Sequence, residues 1–222
     1  YFQGYLEPDR GHGHCIYTQN KDGVKTISNC ILSCMFDGTY TLHAYGSARA
    51  DVDNYLAVDN IVYEKGPFLI GGGKPSHHIR AHRNYLYGVS MRIGYDAPEN
   101  EDCELKDNLI VNGELQIKKY KTVVNENNVT LKAGDKRPPA PRIVFLPNRY
   151  DENRAHVAVF NFPKVPEVGV KMEKFLKAGD KVRLLNPKDF YGKPAWEGQA
   201  ASDTLNVPTP NEFNVYVAVK GK

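Results

Sequence analysis

Four residues have the chemical types to carry out a reaction together: His43, Tyr45, Arg92 and Lys118. They lie in short stretches where apolar and polar residues alternate, TLHAYGS (41–47), SMRIGYD (90–96) and ELQIKKY (114–120). Alternation with period two places successive side chains on opposite faces of a strand. With Leu42 and Ala44 turned inward, His43 and Tyr45 face out. Met91 and Ile93 likewise leave Arg92 and Gly94 outside, and Leu115 and Ile117 leave Gln116 and Lys118 outside. Proton abstraction beside a carboxylate needs a cation on that carboxylate, a base, and an acid for the leaving oxygen. Arg92 suits a two-pronged grip on a carboxylate, with Lys118 as a second cation. His43 titrates near neutrality and, with Tyr17 or Tyr45, is the candidate base or acid.

Two further stretches complete the outward set. HCIYTQN (14–20) contributes Tyr17 and Gln19, and FLIGGGK (68–74) contributes Ile70 and Gly72 if Leu69 and Gly71 point inward. One outward column then reads Tyr17, His43, Ile70, Arg92, Gln116, and the next Gln19, Tyr45, Gly72, Gly94, Lys118. Tyr17, Gln19, Gly72, Gln116 and Tyr95 are the candidate substrate-binding residues, the glycines leaving a bare floor under a ligand. A metal centre is the weaker alternative: His12 and His14 share one side of a strand and could join His43. The acidic run DAPENED (96–102) offers oxygen ligands of the kind calcium takes, although a solvated loop is its plainer reading. His77-His78 reads as an exposed corner. The carboxylates Asp51, Asp53, Asp96, Glu99, Glu101 and Asp102 all read as turn residues, so a pair poised for hydrolysis is less evident than the elimination set.

These residues are positioned by a repeat. Five strand-like segments are each followed by a partner carrying an Asn before an apolar run, at Asn29, Asn60, Asn84, Asn108 and Asn128. The spacings are 31, 24, 24 and 20 residues, and four partners end in Gly38, Gly66, Gly88 and Gly113. A fixed period in the twenties with strand content and almost no helix signal predicts a β-solenoid of about five coils. Asn accepts left-handed backbone and can bond neighbouring backbone and side-chain amides, so a column of Asn at one corner is structural.

Tyr1 to Gly4 reads as the scar of a cleavable tag, and the solenoid is expected over 5–131. Its first strand begins with no capping unit before it, which calls for further coils or a second chain over that end. KAGDKRPPAPR leads into a linker over 132–141. From 142 to 222, short alternating segments such as HVAVFNF (156–162) and NVYVAVK (214–220) predict a small antiparallel sandwich. LKAGDKV (176–182) reads as a hairpin turn within it. Phe160, Phe162, Tyr191 and Trp196 read as core packing or a sugar-stacking surface. The net charge of +3, without a Lys/Arg block, gives no footprint for nucleic acid. No apolar run is long enough for a membrane helix. Cys15, Cys30, Cys34 and Cys103 form no CxxC pair and read as buried small hydrophobes, a disulfide being the lesser reading.

The segments GHGHCIYTQN, LHAYGS and LIGGG, together with LKAGDKVRLLNPKDFYGKP in the tail, resemble bacterial right-handed parallel β-helix proteins of the pectate-lyase-like superfamily. Cys15 departs from the pattern, where Gly is expected, and the N-terminal coils usual in that group are missing. The resemblance implies an all-β chain with a small C-terminal β domain, secreted or periplasmic. It also implies a polysaccharide or oligosaccharide partner, most often acidic, bound along the outside of the parallel sheet. Lyase chemistry is favoured over hydrolysis, and a non-catalytic carbohydrate-binding or cell-surface module is the alternative.

Overall fold

The computed structural model describes residues 2–4, 13–35, 38–95 and 99–221, with no helix among them. The chain divides into two compact units, Tyr1–Asp135 and Lys136–Lys222.

The first unit is a parallel β-solenoid of five coils with three strands per coil. After β1 (Phe2–Gly4), the first coil comprises β2 (Ile16–Thr18), β3 (Lys25–Ser28) and β4 (Ile31–Cys34). The second comprises β5 (Leu42–Ala44), β6 (Tyr55–Val58) and β7 (Ile61–Glu64), and the third β8 (Phe68–Ile70), β9 (Ile79–His82) and β10 (Tyr85–Tyr87). The fourth comprises β11 (Met91–Ile93), β12 (Asn100–Lys106) and β13 (Leu109–Val111), and the fifth β14 (Leu115–Ile117), β15 (Tyr120–Glu126) and β16 (Val129–Leu131). Like strands stack into three parallel faces: β2-β5-β8-β11-β14, β3-β6-β9-β12-β15, and β1-β4-β7-β10-β13-β16. Each sequence partner therefore holds two strands rather than one, bent apart at the Asn corner. The backbone of Phe2–Gly4, read from sequence as a tag scar, pairs in parallel with β4.

Stacking sets like residues over like. Leu42, Phe68 and Met91 are in register on the first face, as are Ala44, Ile70 and Ile93. All six are fully buried in one apolar core with Tyr55, Ile79, Leu86, Leu105 and Ile110. A full Leu or Ile burial contributes about 2 kcal/mol, so this interior, rather than any single bond, holds the coils together.

The register corrects the sequence reading of the third coil by one residue. Leu69 pairs with His43 and Arg92, and Ile70 with Ala44 and Ile93. Leu69, not Ile70, is therefore the outward residue, and Gly71 rather than Gly72 follows in the second column. The expected alternation failed here because F-L-I-G-G-G has no polar residue to mark the outer side.

The Asn corner shows a second shift of one. Cys30, not Asn29, occupies the first rung, its N–H donating to Asn60 Oδ1 at 3.1 Å. From there a ladder runs Asn60 to Asn84 to Asn108 to Asn128, each Nδ2 donating to the next Oδ1 at 2.7–2.9 Å. The other Nδ2 proton goes to a carbonyl of the preceding coil, as in Asn84 to Ala57 O at 3.0 Å. The left-handed backbone falls on the residue before each rung: Asn29, Asp59, Arg83, Asp107 and Asn127 have φ of 49–57°. The two properties expected of one Asn are thus divided between neighbours.

The second unit packs a five-stranded antiparallel sheet with a two-stranded one. The larger sheet has the order β17 (Arg142–Pro147), β18 (Arg154–Phe160), β23 (Phe213–Lys220), β20 (Lys181–Leu185), β21 (Trp196–Gln199). The smaller pairs β19 (Glu167–Lys171) with β22 (Thr204–Pro208). Val157, Val159, Val168, Val170, Leu184, Leu205 and Val207 from both sheets share one core. The stretch Leu176–Val182 is not a hairpin, because β19 and β20 are not paired; it crosses from one sheet to the other. Phe160 and Phe162 are buried, whereas Tyr191 is 98% exposed.

Candidate functional site

The outer side of the first face collects the candidate residues. Its first column is Tyr17, His43, Leu69, Arg92, Gln116, one from each coil. Its second is Gln19, Tyr45, Gly71, Gly94, Lys118. Neighbouring strands lie about 4.8 Å apart, so His43 and Arg92, two strands apart, are separated by about 10 Å along the stack. Tyr45 and Lys118, three strands apart, are separated by about 14 Å. The four candidate catalytic residues thus form two groups, an aromatic one on coil two and a basic one on coils four and five. Leu69 lies between them with no exposed area.

The aromatic group is a connected set of rings. Tyr40 and His43 stack in parallel, with centroids 4.0 Å apart and planes 4° from parallel. Tyr45 lies against His43 at 5.1 Å, Tyr17 meets it edge-on at 5.4 Å, and His14 does so at 4.5 Å. Tyr95, from coil four, reaches Tyr45 at 5.4 Å. It can do so because the positions between them are bare: a Cβ on Gly71 would lie 2.6 Å from Gly94 C, so only glycine fits there. Gln19 Nε2 donates to Tyr17 Oη at 3.3 Å and to the Tyr45 carbonyl at 3.2 Å, tying the first two coils together. Tyr17 is 55% exposed, so the set opens to solvent at that end.

Hydrogen bonding fixes the protons on the two histidines. The Tyr40 N–H donates to His14 Nδ1 at 3.2 Å, which leaves that nitrogen unprotonated. Neutral His14 therefore carries its proton on Nε2, 3.1 Å from His43 Nδ1. His43 Nδ1 must accept, and neutral His43 carries its own proton on Nε2. A relay Tyr40 N–H, His14, His43 makes His43 a proton donor at Nε2 in its neutral form. The sequence leaves its role open between acid and base; this geometry makes neutral His43 a hydrogen-bond donor at Nε2.

In the basic group, Arg92 Nε donates to Gln116 Oε1 at 3.2 Å, and Gln116 Nε2 donates to Glu114 Oε2 at 3.2 Å. Glu114 also meets Lys132 Nζ at 3.2 Å. The Gln116 bond, followed by Lys132, holds the Glu114 carboxyl below its ordinary pKa, so it stays ionised. Arg92 is thus oriented by a neutral amide, and its charge is not cancelled by Glu114 directly. The Lys118 carbonyl accepts Asn100 Nδ2 at 3.0 Å, fixing its backbone at the end of β14.

The remaining expectations fall elsewhere. Gly72 lies one residue beyond the second column, buried, and a Cβ there would lie 2.4 Å from Gly46 O. It serves close packing of two backbones instead of a floor for a ligand. His12 and Asp96 lie outside the described residues. Among the described residues, no group of three or more His, Cys, Asp or Glu is placed to hold a metal ion. Glu101 and Asp102 belong to β12 instead of a turn, and pair with Lys121 at 2.6 Å and with His78 at 3.1 Å. Asp51 pairs with Lys74, and Asp53 with His77, each at 3.0 Å. Sequence reasoning missed Tyr40 and Leu69. Tyr40 lies in the turn before β5, where no periodicity points to it, and Leu69 was hidden by the apolar run.

The chain matches no protein-family model, no curated protein and no solved structure.

Proposed function

We propose that the outer side of the first face binds an acidic glycan and cleaves it by β-elimination. The observation that carries this reading is the ring set around His43 on the same face as Arg92 and Lys118. Flat aromatic faces stack on the apolar sides of sugar rings, and a cation two coils away meets the carboxylate of a uronate unit further along the chain. In the elimination step, Arg92 and Lys118 neutralise the carboxylate. A tyrosine oxygen takes the proton beside it, His43 Nε2–H hydrogen-bonds the leaving glycosidic oxygen, and that oxygen takes its proton from solvent water. Tyr45, one coil nearer to Arg92 than Tyr17, is the better placed base. The resemblance to the pectate-lyase-like superfamily supports the same substrate class and a secreted or periplasmic location.

A second reading, binding without cleavage, is favoured by one observation: His43 is sandwiched between Tyr40 and Tyr45, two strands from Arg92. Incubating the protein with a panel of uronate polysaccharides separates the two. Elimination predicts a new ultraviolet absorbance from the unsaturated product, lost by at least 100-fold in His43→Ala and Arg92→Ala. Retardation on glycan gels with no absorbance supports the second reading, and absence of both overturns the glycan assignment.

A further inference from the structure

The strongest feature outside the glycan-facing residues is a pair of thiols. None of the four cysteines is in a disulfide, yet Cys15 Sγ and Cys34 Sγ lie 3.2 Å apart. Cys15 stands just before β2 and Cys34 ends β4, so the pair spans the interior of the first coil, across 19 residues of sequence. A disulfide bond is about 2.05 Å long, so closure asks for about 1 Å of movement. Each sulfur is also held by a backbone carbonyl. Cys15 Sγ donates to the Ser33 carbonyl at 3.3 Å, and Cys34 Sγ to the Tyr40 carbonyl at 3.3 Å. The Cys15 N–H donates to the same Tyr40 carbonyl at 3.1 Å.

The other two thiols behave differently. Cys103 is buried in the apolar core, and burial pushes its thiol up to about 12. Cys30 donates to the Ser28 carbonyl at 3.3 Å, and burial raises its pKa as well. Cys103 is a core residue and Cys30 packs half-buried against that core, and the raised pKa suppresses the reactivity of both. Cys34 has no exposed area, whereas Cys15 is half-buried, so an oxidant meets Cys15 first.

We propose that Cys15 and Cys34 form a disulfide under oxidising conditions and that this bond locks the His14–Tyr40–His43 cluster. The oxidant is a small-molecule disulfide. The Cys15 thiolate attacks one of its sulfurs, releasing one thiol and leaving a mixed disulfide on Cys15. The Cys34 thiolate then attacks Cys15 Sγ and releases the second thiol. The chain loses two hydrogens and two electrons, and the oxidant gains both as two thiols. The bond fixes Cys15, next to His14, against the strand end whose Sγ lies beside Tyr40. These are the two residues that set the proton and the plane of His43. A bond of this kind persists in a secreted or periplasmic setting and is lost in a reducing cytosol.

The test treats the full chain with oxidised glutathione at pH 8, counts thiols in denaturant and maps the linked peptides by mass spectrometry. Four thiols should fall to two, with the Cys15 and Cys34 peptides joined and the mass lower by two hydrogens. The midpoint of thermal unfolding of the solenoid should rise by about 5 °C and return with dithiothreitol. Cys15→Ser and Cys34→Ser should each abolish the crosslink. Four remaining thiols, a stable glutathione adduct on Cys15, or a crosslink through Cys30 or Cys103 would overturn the proposal; the wild-type thiol count decides it even if a serine variant fails to fold.

Discussion

His43 illustrates how far a residue's type falls short of its role. Its residue type and outward position are legible from L-H-A-Y, but its protonation pattern is not. That depends on the Tyr40 amide, three residues away in a turn, and on His14, 29 residues away in the preceding coil. A metal at His14 is only the weaker alternative from sequence, beside local bonding at a strand start; in the structure His14 bonds the Tyr40 amide and His43. The relay predicts that at pH 8 both His14 and His43 carry their proton on Nε2, which long-range proton–nitrogen NMR spectra of the imidazoles read directly. An Nδ1 proton on either ring overturns the donor role. The Leu69 shift has the same origin: a side chain's direction is legible from alternation only where a polar residue marks the outer side.

Among elements, the strands were legible and the corners only partly so. Period two and repeated Asn gave the five coils, because an apolar interior and a repeating corner impose both signals on the sequence. In coil one the ladder position is displaced from the expected Asn, because Asn29 sits at the left-handed residue while Cys30 takes the rung. At the middle rung, Asn84 has no exposed area, and its amide serves the Ala57 carbonyl, Asn108 Oδ1 and the Asn60 N–H and Nδ2. Asn84→Ala strands several of these buried groups at once and should cost about 3 kcal/mol or more. Asn128, at the half-buried end, accepts from Asn108 N–H and Nδ2 and donates to the Leu105 carbonyl and Asn125 Oδ1, but water can reach the groups it leaves on its own side, so Asn128→Ala should cost less, about 2 kcal/mol. Urea unfolding at unchanged m-value measures both; equal costs would show that the ladder is not cooperative with burial. The C-terminal strands were also legible, whereas their pairing was not. Leu176–Val182 reads as a hairpin turn, yet the strands on either side of it, β19 and β20, lie in different sheets.

For the whole molecule, two cores of separate composition imply two unfolding events, and acid should separate them. His156 in β18 is 3% exposed, and burial, with the Arg154 cation adding to it, pushes its pKa down to about 4. Unfolded histidine titrates near 6.5. Between those values the unfolded chain binds a proton that the folded chain refuses, so stability rises with pH from about 4 to 6.5 and is flat above. Acidification from pH 7 to pH 4 should weaken the C-terminal unit by up to about 3 kcal/mol. His156→Leu should flatten that slope and leave the solenoid transition where it was; an unchanged slope assigns the acid sensitivity to the carboxylates. The ladder also constrains how such a molecule can change its length. Rungs recur at 24 residues from Asn60 to Asn108, while the 30 residues from Cys30 to Asn60 and the 20 from Asn108 to Asn128 meet the same register through longer or shorter corners. Every Asn rung offers an acceptor on one side and a donor on the other, so a copied coil would find the same socket its parent left. Growth or loss by one full turn preserves every amide partnership, whereas a slip within a strand breaks them all. The row of Asn amides therefore acts as a ruler, fixing the quantum in which this chain can be lengthened.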